Sequence, residues 1–396
     1  MGFNYLKGIS NYEDELIKYR RHLHQFPEPS YEEVETSQYV FDQLSQLSNT
    51  SLVRPTKTSV IAIIKGDNPG GKIGLRADLD ALRLQEERSD IEFKSRKKGL
   101  MHACGHDGHT AMLLSAASWL SQHTEYIYGE VYCIFQHAEE AAYGGAQELI
   151  KTGYLDSLDF IYGQHMDPSV LSGQVDLKAG VNTSNTDSYR ITIQAKGGHA
   201  SQPHESIDPV MIGSELVNAF QTIVSRNVPP TETAVVSNTY FEAGNSKALN
   251  VIPDFCKLGG SVRTFSQEVT ALINKRMDEL LDGITRAHGA TYQFEWIKDC
   301  PSVINNSEKT ADVVEIAKKI EGLEVVSNPP SMVGEDFAEY CHKFPAVFAW
   351  IGTRNEEKNM TAPLHHPMFA IDEDVLLNGV KLLVSVAIEQ SKKYKK

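Results

Sequence analysis

The feature that most restricts this chain is a set of short apolar runs that each close on residues able to bind metals or protons. "KIGLRADLDAL" ends on Asp78 and Asp80, "EVYCIFQHAEE" on Glu139 and Glu140, and "DFIYGQHMDP" on His165. Short apolar runs bounded by turn signals read as buried strands. Charged groups at the ends of buried strands cost free energy unless a cation, a ligand or a partner charge meets them. Helical patterns such as "HTAMLLSAASWLSQH" and "GGAQELIKTGYL" separate the runs. This alternation predicts an α/β layer on a mostly parallel sheet with flanking helices, and it places ligands at the carboxyl edge of the strands.

The same pattern extends to both ends of the chain. "YEDELIKYRRHLHQF" has helical spacing, and "PEPSYEE" reads as a turn with a new helix start. "SVIAIIKG" and "GKIGLRADLDAL" read as two strands separated by the turn "DNPGG". The texture then changes. "DSYRITIQAKGGHAS", "TAVVSNTYFEAG", "NVIPDFCKLGGSVRTF" and "TYQFEWI" alternate like half-exposed strands. An amphipathic helix lies in "DPVMIGSELVNAFQTIVSR", and a longer one runs from Gln267 to His288. After "KDCPSVINN" the α/β texture returns with "ADVVEIAKKI", "PAVFAWIG" and a closing helix from Asp372. At 396 residues the chain exceeds one ordinary core. The expectation is a discontinuous domain of residues 1–184 and 298–396 that receives a smaller α+β domain of residues 185–297.

A formal net charge of −14 argues against a nucleic-acid backbone or an anionic membrane surface as partner. No apolar run approaches the roughly 20 residues of a membrane span, and the acidic opening residues lack a signal-peptide core. Five scattered cysteines without Cys-x-x-Cys spacing suggest reduced thiols, so a cytoplasmic protein is expected.

"MHACGHDGHT" puts Cys104 and His106 two apart, directly before a helix. Alone, such a pair also suits a buried thiol beside a helix-capping histidine, and a Glu-Glu pair also suits a helix N-terminus. Here thiol, imidazole and carboxylate fall on several strand ends of one sheet, and "APLHHPMF" adds His365 and His366 in a proline-bounded loop. That donor mixture suits zinc, cobalt or manganese better than calcium or magnesium. Of two adjacent glutamates, one can bind a metal while the other takes a proton from water, the division that metal-assisted hydrolysis requires.

The order of motifs resembles the M20 family of metallopeptidases, in its amidohydrolase branch of hippurate hydrolases, N-acetyl-diaminopimelate deacetylases and aminoacylase-like enzymes. The resemblance runs from "RRHLHQFPEPSYEE" through "LRADLDAL", "MHACGHDGHTAML", "FQHAEE", "GQHMDP", "GGHASQPHESIDP", "NVIPD", "SVRTF" and "GEDFAEY" to "PLHHPMF". It implies two divalent metal ions (zinc, manganese, cobalt or nickel) on Cys104, His106, Glu140, His165 and His365. It implies Glu139 as general base, assisting attack by metal-bound water, and Asp78 as the acid that orients a ligand from behind. His199 would polarise the scissile carbonyl, and Asn250 and Arg263 would contact the substrate. The inserted domain would be a lid and dimerisation domain, giving a homodimer or a tetramer. The implied substrate is a small N-acyl amino acid; a metallo-dipeptidase or carboxypeptidase is the alternative, and a non-catalytic binder of amino-acid conjugates is another. Arg83 and Ser206 depart from the family pattern, which usually has Pro and Gly there.

Overall fold

The strand and helix patterns become two units of different architecture in the computed structural model, in which residues 3–142 and 144–395 are described. Unit 1 comprises Met1–Asn182, Val303–Pro329 and Asp336–Lys396, and unit 2 comprises Thr183–Ser302 and Pro330–Glu335. Unit 1 begins with α1 (Glu13–Gln25), α2 (Val34–Leu44), β1 (Thr50–Val53), β2 (Val60–Lys65) and β3 (Asn68–Asp78). It continues with α3 (His106–Gln122), β4 (Tyr128–Gln136), α4 (Gly145–Lys151), β5 (Phe160–Leu171), β6 (Gln174–Asp176) and β7 (Gly180–Val181). Unit 2 supplies β8 (Asn185–Gln194), β9 (Gly198–His199), α5 (Pro209–Arg226) and β10 (Ala234–Ala243). Then come β11 (Val251–Ile252), β12 (Phe255–Thr264), α6 (Gln267–His288) and β13 (Thr291–Cys300). The chain returns to unit 1 with β14 (Ile304–Asn305), α7 (Ser307–Ala317), β15 (Glu324–Val326), α8 (Ala338–Lys343), β16 (Ala346–Arg354) and α9 (Leu376–Lys393).

In unit 1 an eight-stranded sheet has the order β1-β2-β4-β3-β5-β16-β6-β15. Its centre, β4-β3-β5-β16, is parallel throughout, while β1-β2, β2-β4 and β16-β6 are antiparallel. Successive side chains of a strand face opposite sides. Ile73, Leu75 and Ala77 therefore enter the main apolar cluster with residues of α3 and α9, while Arg76 turns to the other face and reaches Gln136 and Asp336. Apart from Gln122 at its end, α3 is buried along its length. Beyond its polar first turn it is mostly apolar on every side, as suits a helix enclosed by its neighbours.

Unit 2 is an antiparallel sheet, β10-β12-β8-β13, with α5 and α6 packed on one face. Tyr189, Ile191 and Ile193 of β8 alternate into the core that Ile212, Leu216 and Phe220 of α5 and Ile273, Met277 and Leu281 of α6 complete. Asp208 accepts from Val210 N–H to start α5, and Ser266 accepts from Val269 N–H to start α6.

Several boundaries differ from the sequence reading. "DNPGG" is no free-standing turn: β3 starts at Asn68, and its ladder with β4 shifts register between Asn68 and Gly71. That irregularity accommodates Pro69, which has no N–H to give to a ladder. Pro253 likewise divides "NVIPDFCKLGGSVRTF" into β11 and β12. Asp372 caps a short 3-10 turn, and the closing helix starts only at Leu376. Among the described residues, no helix is long and apolar enough to cross a membrane.

Candidate metal centre

Gly105, with φ at +95°, sits between Cys104 and His106 at the start of α3. The left-handed turn, cheap for glycine, lets the thiol and the imidazole address one point. Cys104 Sγ lies 3.4 Å from His165 Nε2; His165 does not end its strand as the sequence suggested but sits in the middle of β5, which runs on to Leu171 paired with β16. The next strand end is shaped by Ala138, a non-glycine residue at φ +52°. Its N–H donates to the fully buried carboxylate of Glu33 at 2.8 Å. Glu33 also accepts from the Tyr31 N–H and the Thr58 hydroxyl. Where that turn returns, a Cβ on Gly145 would stand 1.9 Å from the His137 carbonyl, so only glycine fits. His365 also has a positive φ, +62°. Its N–H donates to the Ala103 carbonyl at 2.8 Å, and its Nε2 lies 3.0 Å from Glu140 Oε1.

Overlapping sets of potential ligands result, among them Cys104 with His106 and His165, Cys104 with Glu140 and His365, His106 with Glu139 and Glu140, and Asp78 with His106 and His109. Within each set the ligand-capable atoms lie within 4.8 Å of one another. All these residues belong to unit 1.

The hydrogen bonds behind the cluster decide which nitrogens face it. His106 Nδ1 donates to the Asp80 carbonyl at 2.9 Å, with Asp80 Oδ1 at 3.3 Å. Its buried Nε2 is left without a hydrogen-bond partner among the described residues. His165 Nδ1 donates to the Met166 carbonyl at 2.8 Å, which again turns Nε2 to the cluster. Imidazoles anchored through one nitrogen present a lone pair on the other, as metal-binding histidines do. His109 is different: its Nδ1 meets Asp78 Oδ1 at 2.6 Å and its Nε2 accepts from Met166 N–H at 2.8 Å. Both nitrogens are used, so it braces the cluster from outside.

Asp78 therefore does not hold one of the expected ligands directly. Its carboxylate lies 3.8 Å from His106 Nδ1 and meets His109 and Arg76 instead. Asp80, two residues on, is the acid at His106. Asp80 also accepts from Ser30 Oγ at 2.7 Å and from the Glu140 N–H at 2.9 Å.

Electrostatics agree with a site built for a cation. Burial, with Glu140 and Glu139 adding to it, pushes the Cys104 thiol well above its ordinary value. His106 rises to about 10: burial opposes this, and the charge of Asp78 and the hydrogen bond that His106 donates to Asp80 outweigh it. Burial drives His165 well below the ordinary histidine value. Cys104 and His106 thus hold protons where a divalent ion would supply the positive charge; such an ion reverses those two shifts and acts in the same direction as burial on His165. The donor set, one thiol with imidazoles and carboxylates, fits a divalent transition metal.

The other expected residues lie in unit 2. β9 pairs with β11 so that His199 opposes Val251, and Ala200 N–H donates to the Asn250 carbonyl, which brings His199 and Asn250 together. His199 Nδ1 accepts from Ser201 N–H at 3.1 Å, leaving Nε2 as the N–H of an exposed ring. Arg263, half-buried on β12, has Nη1 3.1 Å from the Val262 carbonyl and 3.5 Å from that of Asp187. Arg83 forms an exposed pair with Glu32 at 2.6 Å, and Ser206 closes the short turn Pro203–Glu205 by bonding to the Pro203 carbonyl.

Sequence reasoning missed Asp80 as the anchor of His106, although the motif "RADLD" displays it. It also missed the buried group behind α3. There His24 Nδ1 meets Asp107 Oδ2 at 2.8 Å, His24 Nε2 meets Glu86 at 3.3 Å, and Arg20 reaches Asp107 at 3.1 Å. These partners are far apart in the sequence, and no local spacing marks them.

The model of peptidase family M20/M25/M40 matches residues 74–389. An N-acyl-L-amino acid amidohydrolase of Geobacillus stearothermophilus is 42% identical over 300 residues, covering 76% of this chain and 80% of that protein. Thermostable carboxypeptidase 2 of Saccharolobus solfataricus is 37% identical over 390 residues, covering 97% of this chain and 98% of that one. Among solved structures, the Bacillus subtilis YXEP protein, a dinuclear metal binding peptidase, superposes with a TM-score of 0.84 at 34% identity, covering 97% and 99% of the two chains. The ordered motifs, the sheet that carries them and these likenesses lead to one conclusion: the chain belongs to peptidase family M20/M25/M40.

Proposed function

We propose that this chain is a metal-dependent amidohydrolase that cleaves the amide bond of N-acyl amino acids. The observation that carries the reading is the convergence of Cys104, His106, Glu140, His165 and His365, with Glu139 beside them, in overlapping sets. We assign these five residues as ligands of two divalent ions. Zinc, manganese, cobalt or nickel suits a donor set that mixes thiolate with imidazole and carboxylate. When bound, the ions supply Lewis acidity toward the amide carbonyl and toward water.

The chain's own residues supply the rest. Glu139, whose Oε2 stands 3.9 Å from His106 Nε2, accepts the proton of the attacking water and returns it to the departing amine. Asp80 and the Met166 carbonyl hold His106 and His165 in the tautomers that face inward. Asp78 acts one step further back, through His109. To His199 we assign the hydrogen bond that polarises the scissile carbonyl, a donor role that suits its Nε2–H. To Asn250 and Arg263 we assign contact with the substrate, Arg263 with its free carboxylate.

We take the protein to be cytoplasmic, in keeping with five free cysteines, and a homodimer or tetramer formed through unit 2. Exposed Val210, Met211, Val235, Tyr240, Phe241 and Leu249 give unit 2 apolar surface that a second copy would cover.

The test is hydrolysis by metal-stripped protein before and after addition of each of the four metals, on N-acetyl and N-benzoyl amino acids alongside dipeptides and blocked peptides. Metal-restored cleavage of the acyl amino acids is expected. The carboxypeptidase likeness favours a second reading, peptide cleavage with the same residues; faster turnover of the peptides would select it. A panel left uncut by metal-loaded protein would favour a binder of amino-acid conjugates.

A further inference from the structure

The motif "GEDFAEY" enters none of these roles, yet its buried Asp336 touches both ends of the turn that presents Glu139 and Glu140. On the near side is Gln136, the last residue of β4, whose Nε2 donates to Asp336 Oδ1 at 2.9 Å and Oδ2 at 2.7 Å. On the far side Ala146, at the start of α4, donates its N–H to Oδ2 at 3.1 Å. A Cβ on the intervening Gly144 would lie 2.2 Å from that same oxygen, so the turn rests directly on the carboxylate.

Asp336 has a second limb. Arg76, 2% exposed, donates Nη2 to Asp336 Oδ1 at 2.7 Å, Nη1 to Asp78 Oδ2 at 2.6 Å and Nε to Gln136 Oε1 at 2.9 Å. Asp78 in turn holds His109, and His109 takes the N–H of Met166, the residue after His165. One carboxylate thus reaches the β4 turn directly and the middle of β5 through three hydrogen-bonded side chains.

We propose that Asp336 is a positioning residue that sets the Glu139–Glu140 turn and, through Arg76 and Asp78, steadies the stretch of β5 around His165. The inference rests on the reading that Glu139 is the base and that Glu140 and His165 are ligands. The four hydrogen bonds that the two carboxylate oxygens accept come from Arg76, from Gln136 twice and from the Ala146 N–H. An amide in place of the acid must therefore turn its NH2 against another donor, whichever way it rotates. Asp336→Asn keeps the volume and breaks the arrangement, so no cavity confuses its effect.

The experiment compares full-length wild type, Asp336→Asn and Asn305→Ala. Asn305 is a buried bridge of the same unit, bonded to Phe348 and Lys178 and to none of these groups. Thermal midpoint, metal retained against a chelator, and kcat and KM on a cleaved acyl amino acid are read for each. Asp336→Asn should lose at least tenfold in kcat with KM changed less than threefold, and should release metal sooner. Asn305→Ala should lower the midpoint while kcat and metal retention stay within twofold of wild type. An Asp336→Asn protein that melts earlier but keeps kcat and metal retention within twofold would overturn the inference. Should it fail to fold, Gln136→Met withdraws the direct contact with Asp336 together with the acceptor of Arg76 Nε, and unchanged kcat and metal retention there would overturn the inference equally. A wild type that cleaves nothing refutes the proposed function instead. Metal retention then still decides, earlier release than from Asn305→Ala supporting the inference and equal release overturning it.

Discussion

The Asp80 carboxylate accepts the Glu140 N–H at 2.9 Å while the Asp80 carbonyl holds His106 Nδ1 at the same distance. One residue beyond the end of β3 thus aims an imidazole from α3 and fixes the backbone of a carboxylate that follows β4. Asp80→Ala removes the side-chain half of this arrangement and leaves the carbonyl. Metal affinity should fall about 10–100-fold, the usual cost of losing a partner behind a ligand. Chelator competition measures it, and wild-type affinity would show that the carbonyl alone suffices.

Glu139→Gln and Cys104→Ala should separate proton transfer from metal binding. The glutamine variant should bind the wild-type amount of metal and lose about 10²–10⁴ in kcat, the range a general base contributes. The alanine variant should instead lose metal. Metal analysis beside kinetics on one preparation reads both effects, and undiminished turnover by Glu139→Gln would remove it as the base.

Asp372 carries a pH dependence away from the metal centre. It is buried and accepts from Lys358 at 2.6 Å, from Asn355 at 2.7 Å and from Ser172 at 3.0 Å. Burial alone would raise its pKa, but these donors, Lys358 foremost, lower it below the ordinary 3.8. A carboxylate depressed on folding adds stability that is complete above its unfolded pKa and disappears as pH falls through the folded one. Asp372→Asn should therefore cost about 1–2 kcal/mol at pH 7, towards the low end because Lys358 is partly exposed. The gap in thermal midpoint between wild type and variant should close as pH drops below the ordinary carboxylate value. A gap that persists at pH 2.5 (roughly a unit or more below the ordinary carboxylate value) would assign the loss to packing.

Arg83 makes the opposite case. Arg83 and Glu32 are 66% and 61% exposed, and an ion pair in water contributes little. Arg83→Ala should leave the thermal midpoint within about 0.5 kcal/mol equivalent of wild type. A larger loss would show that the pair orders the segment from Glu28 to Glu33.

What could be read beforehand follows from how local each signal is. The bounds of α6 were legible because Ser266 and Gly289 cap its apolar stripe, and the four-stranded sheet and two helices of unit 2 because their residues alternate cleanly. "MHACGHDGH" was legible because cysteine and histidine crowd one turn. The division of labour between Asp78 and Asp80 was not. The two acids are two residues apart where β3 ends, and only the position of α3 determines which one meets His106. Pro330–Glu335, which groups with unit 2, carries no periodicity of its own, and its place follows from contacts such as Ser184 Oγ with the Met332 carbonyl.

The parallel pairing of β5 with both β3 and β16 has a consequence for how the protein is made. A ribosome delivers β3, α3, β4 and β5 early, then the long segment of unit 2, and only afterwards Ala346–Arg354. Until then β5 has one open edge, a surface that invites wrong pairing in a nascent chain. His365 emerges later still. The five residues assigned above as ligands are therefore together only after unit 2 and β16 have been made, so the proposed metal ions would be taken up late, after both elements.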